Sequence, residues 1–217
     1  SGNTGRDLLE VAMSHPIKLI ANALGVPPDY MIDAGKERGI PVAALVGAKE
    51  HAVKQVAAGV DLIVAQGTEA GGHCGEVTTM VLVPEVLEAL AAIGSQTPVL
   101  AAGGIVTGRQ MAAAVAMGAD GGISGCAVAA PELMLPLRRA VLAKDAARVE
   151  ELSGHLARFI GWLDEFPVPV GLGEALAERC LAVGPHAVPP SAEMQAKLRE
   201  YHEWFTPWVE KLAQSKD

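Results

Sequence analysis

Aromatic side chains are scarce in this chain of 217 residues, where Phe, Trp and Tyr together make up 4% of the sequence. Half of the residues are nevertheless hydrophobic, so the core must be built from Ala, Val, Leu and Ile. That mixture suits parallel strands that are buried on both faces and covered by helices. A chain of this length can form one well-buried core and is short for two.

Long apolar runs are also missing. No stretch approaches the roughly 20 apolar residues that a helix needs to cross a bilayer, and the N-terminus lacks the basic-then-apolar order of a signal peptide. The three cysteines, Cys74, Cys126 and Cys180, are an odd number without CxxC spacing. We therefore expect no membrane partner, no disulfide framework and no metal site. A cytoplasmic location is expected because a reducing compartment suits isolated thiols.

Basic residues are the minority among the charged ones. The sequence has 17 Lys and Arg residues against 25 Asp and Glu residues, a net charge of −8 and a pI near 5.3. It also contains no dense basic run, whereas binding to a phosphate backbone draws on clustered Lys and Arg. We therefore expect a small-molecule substrate and no nucleic-acid partner.

From Pro16 onward, short apolar segments alternate with helical patterns. The predicted strands are Ile17–Ala21, Val42–Val46, Leu62–Ala65, Val99–Ala102 and Gly122–Gly125. The predicted helices between them are Pro28–Arg38, Glu50–Ala58, Pro84–Ala92 and Gly108–Met117. Repeated βα units favour a parallel sheet or barrel with right-handed crossovers.

Five strands are fewer than the eight of a complete (β/α)₈ barrel, which takes about 250 residues. We predict an α/β fold of TIM (β/α) barrel lineage that is incomplete, with about five parallel strands. An open flavodoxin-like sheet and a barrel completed by a partner chain remain alternatives. A homo-oligomer is expected, since an exposed strand edge is an aggregation liability unless it is covered.

The last third of the chain has helical patterns alone. The predicted helices are Pro131–Ala143, Ala146–Leu163, Leu172–Leu181 and Ser191–Leu212. The aromatic stripe Trp204, Phe205 and Trp208 has helical spacing and indicates packing, either onto the outside of the barrel or across a dimer contact. We therefore divide the chain into a partial barrel over residues 1–128 and a helical C-terminal extension over residues 129–217 that packs on the barrel.

The loop after the third strand, Gln66 to Glu76, combines glycine with one histidine and two carboxylates. Glycine lets the backbone approach a ligand closely and reaches positive φ without strain. Loops that follow the carboxyl ends of strands carry the ligands in such folds, and His73 could exchange protons near neutral pH. The alternative is a surface loop whose histidine has no role. Glu69 and Glu76 could orient His73, or they could be solvated carboxylates of the loop. For Glu76 the solvated position is favoured.

A second glycine site follows the fourth strand at Gly103 and Gly104. With Gly125 and Cys126 after the fifth strand, it has the layout of a barrel phosphate site, in which backbone N–H groups bind an anion. Paired glycines also serve tight turns between a strand and a helix, so the pattern alone allows both interpretations.

Several of these segments, in this order, resemble the FMN-dependent nitronate monooxygenases over about residues 16–125. The segments are Asn22–Gly25, Ala43–Gly47, Gln66–His73, Met80–Val86, Ala101–Ile105 and Gly108–Met111. The resemblance implies an enzyme that uses FMN and O₂ to oxidise alkyl nitronates to a carbonyl product and nitrite.

The same resemblance assigns roles to individual residues. It implies that His73 is the catalytic residue. It implies that the cofactor-binding residues are Gln66, Gly67, Gly71, Gly72, Gly103, Gly104, Gly125 and Cys126, with the FMN phosphate at Gly103, Gly104 and Gly125. Cys126 replaces the small hydroxyl residue usual in the family, and a thiol is a weaker hydrogen-bond donor.

The C-terminal part resembles a different barrel family, the dihydrodipicolinate synthase-like aldolases. The segments that carry this resemblance are Gly121–Gly125, Pro131–Leu133, Phe166–Val170 and Val183–Pro189. It implies a chimera of two barrels, which would meet near Gly118–Gly121. Two alternative functions follow: an inactive chimeric or truncated scaffold, and a Schiff-base lyase that uses Lys49. A nucleophilic lysine must be buried to lower its pKa, and Lys49 instead has the position of a helix start on the solvent side.

Overall fold

The computed structural model describes residues 4–105 and 108–214. The chain divides into two compact units, Ser1–Ile123 and Ser124–Asp217. Within the described ranges, no helix is both long enough and apolar enough to cross a membrane.

The first unit contains a five-stranded parallel sheet whose strands lie side by side in chain order. The strands are β1 (Ile20–Asn22), β2 (Val42–Val46), β3 (Leu62–Gln66), β4 (Val99–Ala102) and β5 (Gly121–Gly122). The helices are α1 (Gly5–Met13), α2 (Asp29–Arg38), α3 (Lys49–Ala57), α4 (Thr79–Ala92) and α5 (Gly108–Ala116). The predicted α/β fold with five parallel strands is therefore confirmed.

Most of the other elements differ from the predicted boundaries by one to three residues at one or both ends, β1 for example beginning at Ile20 and not at Ile17. For two elements, α4 and β5, the difference has a clear physical reason. Helix α4 begins at Thr79, so Pro84 lies inside the helix, where its missing N–H costs one helical hydrogen bond. Strand β5 ends at Gly122 because Ser124 already precedes the next helix as its N-cap residue. Helix α1 was not predicted, although Thr4 and Asp7 form a capping box at its start.

The same pair of hydrogen bonds from an aspartate occurs at the amino ends of two strand pairs. Asp61 and Asp120 each follow a Gly-x dipeptide and precede β3 and β5. The N–H of Asp61 donates to the Val42 carbonyl at 2.8 Å, and its Oδ2 accepts from the Val42 N–H at 2.8 Å. Asp120 makes the same two bonds to Val99, also at 2.8 Å. Each aspartate therefore fixes the strand that follows it to the first residue of the neighbouring strand.

The core of the first unit consists of small and β-branched aliphatic side chains. Strand β3 is buried from Ile63 to Gln66, and β2 has only one residue that is not fully buried. Apolar side chains of α4, among them Leu82 and Val86, are fully buried in the same core. This composition matches the scarcity of aromatic residues in this part of the chain.

The second unit is helical and has its own core. Its helices are α6 (Gly125–Ala129), α7 (Pro131–Ala143), α8 (Ala146–Leu163), α9 (Val170–Glu178) and α10 (Ala192–Gln214). The aromatic stripe of α10 packs inside this unit: Phe205 is fully buried, and the Trp204 and Trp208 rings stack with their centroids 4.7 Å apart. All Phe and Trp residues of the chain and Tyr201 lie in this unit, and Tyr30 lies in the first.

We expect Asp61→Ala to lower the free energy of unfolding by about 1 kcal/mol, because it removes the side-chain acceptor of the Val42 N–H at a partly exposed site. Asp61→Asn is the matched control, since its amide oxygen can still accept that bond. Urea unfolding followed by circular dichroism measures both. Equal losses in the two variants would contradict the role given to this hydrogen bond.

Candidate active site

The predicted site residues of the first unit lie at the carboxyl edge of the sheet. Because all strands are parallel, the loops after β2, β3 and β4 emerge at this same edge. Gly47 follows β2, Gln66 ends β3, and Gly103 follows β4. Loops far apart in sequence are thereby brought together, as ligand sites in such folds require.

Glycines at this edge allow backbones to come into contact. A Cβ on Gly47 would lie 2.6 Å from the Gly75 nitrogen, and a Cβ on Gly67 would lie 2.1 Å from the Thr79 Oγ1. Real Cβ atoms do not approach other atoms so closely, so these positions require glycine. Gly71 and Gly72 differ, because nothing lies within 4 Å of a Cβ placed on either of them. The loop is therefore fixed near Gly67 and Gly75 and bordered by open space between them.

Glu69 contacts the start of helix α4 and not His73. Its Oε2 accepts from the Thr79 N–H at 2.9 Å, and it lies 2.9 Å from the Thr79 Oγ1. The hydrogen bond from the Thr79 backbone lowers the pKa of the Glu69 carboxyl below its ordinary value. Glu69 therefore does not orient His73, and among residues 4–105 and 108–214 no hydrogen bond or ion pair joins His73 to Glu76.

His73 and Gln66 line one cavity of about 350 Å³. Gln66 is largely buried, and its Nε2 donates to the Gly71 carbonyl at 3.1 Å, which holds the glycine loop against the end of β3. His73 is exposed on the same loop. The remaining lining consists of Ala23–Val26, Leu45–Gly47, His51, Lys54, Gln55, Cys74 and Gly75. The size is at the small end of the range of ligand pockets, about 300–1,000 Å³.

Three lining residues, His51, Lys54 and Gln55, were not predicted from sequence. They lie on helix α3 at a spacing that puts them on one helix face, but nothing in the sequence points that face at a loop after β1. Gln55 is the buried member of the group, and its Nε2 donates to the Gly25 carbonyl at 2.9 Å. The same carbonyl accepts from the Asn22 side chain at 2.8 Å, so two amides hold the loop that borders the cavity.

Gly103 and Gly104 have the backbone that the phosphate prediction needs. Their φ angles are +108° and +66°, a region that side chains rarely adopt. Neither N–H donates to another residue of the described chain. Two adjacent backbone donors without an acceptor among the described residues suit a ligand with phosphate oxygens. The residues present therefore fit the phosphate of FMN.

Gly125 and Cys126 belong to the second unit, at the start of the short helix α6. Burial raises the pKa of the Cys126 thiol, although a hydrogen bond with Ser124 acts in the opposite direction. Cys126 is therefore a neutral thiol at neutral pH. Its assignment to the phosphate site, with that of Gly125, stays a prediction.

Lys49 does not have the environment of an imine-forming lysine. It is the first residue of α3, its side chain is 45% exposed, and its Nζ lies 3.3 Å from the Glu85 Oε1. A lysine that forms an imine needs a buried site, and this side chain is exposed and paired with a carboxylate. The geometry therefore gives no support to the lyase alternative.

Comparison with known proteins decides the family. The sequence profile described as "Nitronate monooxygenase" matches residues 3–130, more than half of the chain. The chain belongs to the nitronate monooxygenase family. Members of this family are flavin-dependent oxidoreductases.

Similar proteins support this assignment. "Putative monooxygenase Rv1533" of Mycobacterium tuberculosis is 48% identical over 218 residues, which cover 93% of this chain and 56% of that protein. Among solved structures, FabK from Thermotoga maritima is 35% identical with a TM-score of 0.50, covering 61% of this chain and 43% of FabK. Nitroalkane oxidase from Streptomyces ansochromogenes is 32% identical with a TM-score of 0.50, covering 58% and 39%.

Two further facts follow from the coverage. The chain spans between about a third and a little over half of the length of curated relatives that it matches. The mycobacterial alignment covers 93% of the chain with one protein, so it runs through Gly118–Gly121, where two families were expected to meet. The aldolase-like C-terminal part and the chimera are therefore not supported.

The contrast between two glycines of the same loop gives a stability prediction. We expect Gly67→Ala to destabilise the chain by about 1–3 kcal/mol, as overpacked sites do, because its Cβ meets Thr79 backbone atoms that cannot move independently. Gly71→Ala should change the free energy of unfolding by less than about 0.5 kcal/mol, as at open surface sites. Chemical denaturation measures both, and a Gly71→Ala variant as unstable as Gly67→Ala would contradict the packing described.

Proposed function

We propose that this chain carries the site for FMN-dependent oxidation of alkyl nitronates with O₂, giving a carbonyl compound and nitrite. One observation carries the proposal: the acid–base residue His73 and the buried amide of Gln66 line one cavity, at the sheet edge that also presents the N–H groups of Gly103 and Gly104. The family supports flavin chemistry in general, and the nitronate substrate is the part that we add. A homo-oligomeric state and a cytoplasmic location stay predictions.

The described residues suggest how FMN is held. The N–H groups of Gly103 and Gly104 would bind phosphate oxygens. Gln66, Gly71 and Gly72 would border the ring, whereas the predicted contact of Gly67 with the ring is not proposed, because Gly67 is packed against Thr79. FMN, when bound, takes electrons from the substrate and passes them to dioxygen.

The role of His73 depends on the protonation state of the substrate. A nitronate is already an anion, so its oxidation requires no base. A neutral nitroalkane must first lose its α-proton, and histidine is the side chain that most often serves as the general base for such a transfer. The exposed position of His73 on the cavity wall leaves its ring nitrogens accessible to a substrate.

The cofactor part is tested by the visible absorption spectrum of the purified chain, recorded again after addition of excess FMN and desalting. We expect a retained flavin spectrum, and bleaching when ethyl nitronate is added without oxygen. A colourless protein after desalting would overturn the proposal and favour the inactive scaffold. If FMN is retained but does not bleach, the proposed binding of flavin stands and the proposed nitronate substrate is rejected.

The proton-transfer part is tested with nitroethane and its nitronate as a matched pair of substrates. We expect His73→Asn to lower kcat/KM for neutral nitroethane by about 10²-fold, the usual contribution of a general base. The value for ethyl nitronate should change by less than about threefold, because no proton is removed. His15→Asn, at an exposed histidine that does not line the cavity, is the control and should leave both values unchanged. Equal losses on both substrates in His73→Asn would reject the role as a base.

A further inference from the structure

We propose that Thr79 and Glu69 are positioning residues that set the direction of the phosphate-binding N–H of Gly104. The inference rests on the proposed function in one respect, namely that the phosphate of FMN is the ligand of Gly103 and Gly104. Neither Thr79 nor Glu69 is assigned a contact with the flavin. They act through the backbone of the turn.

The hydroxyl of Thr79 lies at the meeting point of three loops. Its Oγ1 is 2.9 Å from the Gly103 carbonyl, 3.3 Å from the Ala102 carbonyl and 2.9 Å from the Glu69 Oε2. The side chain is buried, with 5% of its surface exposed. The Thr79 hydroxyl has one proton and three possible acceptors within reach. Its oxygen therefore stays among these acceptors whichever of them accepts the hydrogen bond.

Peptide geometry links this hydroxyl to the ligand side of the turn. The Gly103 carbonyl and the Gly104 N–H belong to one peptide unit, and this unit is trans. In a trans peptide the C=O and N–H bonds point in opposite directions. Because the carbonyl faces Thr79, the N–H of Gly104 faces away from it, and no described residue accepts a hydrogen bond from that N–H.

The space around the turn leaves little freedom for another orientation. A Cβ on Gly103 would lie 2.9 Å from the Thr79 Oγ1 and 3.0 Å from the Ala70 nitrogen. A Cβ on Gly104 would lie 3.0 Å from the Glu69 Cβ. The turn is therefore packed against Thr79 on one side and the Glu69 stem on the other.

Glu69 in turn fixes Thr79. The same Oε2 that lies near the hydroxyl accepts from the Thr79 N–H at 2.9 Å, so backbone and side chain of Thr79 are held by one carboxylate oxygen. Hydrogen bonds to an ionised group are stronger than those between neutral groups. The chain of contacts runs from Glu69 through Thr79 to the Gly103 carbonyl, and from there to the Gly104 N–H.

The test compares FMN with riboflavin, which lacks the phosphate. Dissociation constants of both are measured for the purified chain by quenching of flavin fluorescence. We expect the unmodified chain to bind FMN more tightly than riboflavin. Thr79→Val keeps the shape but places a methyl group against the Gly103 carbonyl, and we expect it to weaken FMN binding about tenfold, the equivalent of one lost hydrogen bond to a charged group. Riboflavin binding should change by less than about twofold.

Two further variants keep the proposal falsifiable if Thr79→Val does not fold. Thr79→Ser retains the hydroxyl and should preserve the ratio of the FMN and riboflavin dissociation constants. Glu69→Gln, at an exposed position, replaces a charged acceptor with a neutral one. It should weaken FMN alone, by about threefold, when binding is measured at about 1 M salt, which screens the repulsion between the Glu69 carboxylate and the phosphate.

Three results would overturn the inference. The first is an equal loss of affinity for FMN and riboflavin in Thr79→Val or Glu69→Gln. The second is a Thr79→Ser variant that binds FMN as weakly as Thr79→Val. The third is an unmodified chain that does not bind FMN more tightly than riboflavin. Failure of the proposed function appears separately, as FMN-loaded chain that does not oxidise ethyl nitronate, and it does not affect the ratio of the two dissociation constants.

Discussion

Contact between the backbones of neighbouring loops is the constraint on which the rest of the candidate site depends. Where the loops after β2, β3 and β4 meet, Gly47 touches Gly75 and Gly67 touches Thr79 at distances that admit no side chain. These contacts fix both ends of the loop that carries His73, while Gly71 and Gly72 border open space. A histidine is thereby held over a cavity by a loop that has no regular secondary structure of its own.

The same constraint separates two kinds of glycine that look alike in the sequence. Gly67 and Gly75 serve packing between protein backbones, whereas Gly103 and Gly104 combine positive φ angles with N–H groups that have no acceptor in the described chain. A motif rich in glycine is therefore a mixture of structural and ligand-facing positions. Only the three-dimensional neighbours of each residue distinguish them.

Much of the fold could be predicted from the sequence, because parallel strands buried on both faces have a strong local signal. Strands β2 and β4 and helices α7 and α8 have the predicted boundaries. The lining of the cavity by Lys54 and Gln55 could not be predicted, since it depends on how α3 lies beside the loop after β1. The role of Glu69 was also missed, because a carboxylate near a histidine suggests a pair, while its partner Thr79 lies ten residues further along the chain.

The two aspartates at the amino ends of β3 and β5 have an effect at the opposite end of the sheet. Side chains alternate between the two faces of a strand, so a shift of one residue in pairing would turn every side chain to the other face. By fixing β3 to the first residue of β2, Asp61 also determines which face Gln66 presents. Asp61 is an exposed carboxylate remote from the cavity. It thus fixes the face of β3 on which the Gln66 side chain lies, and this side chain lines the cavity.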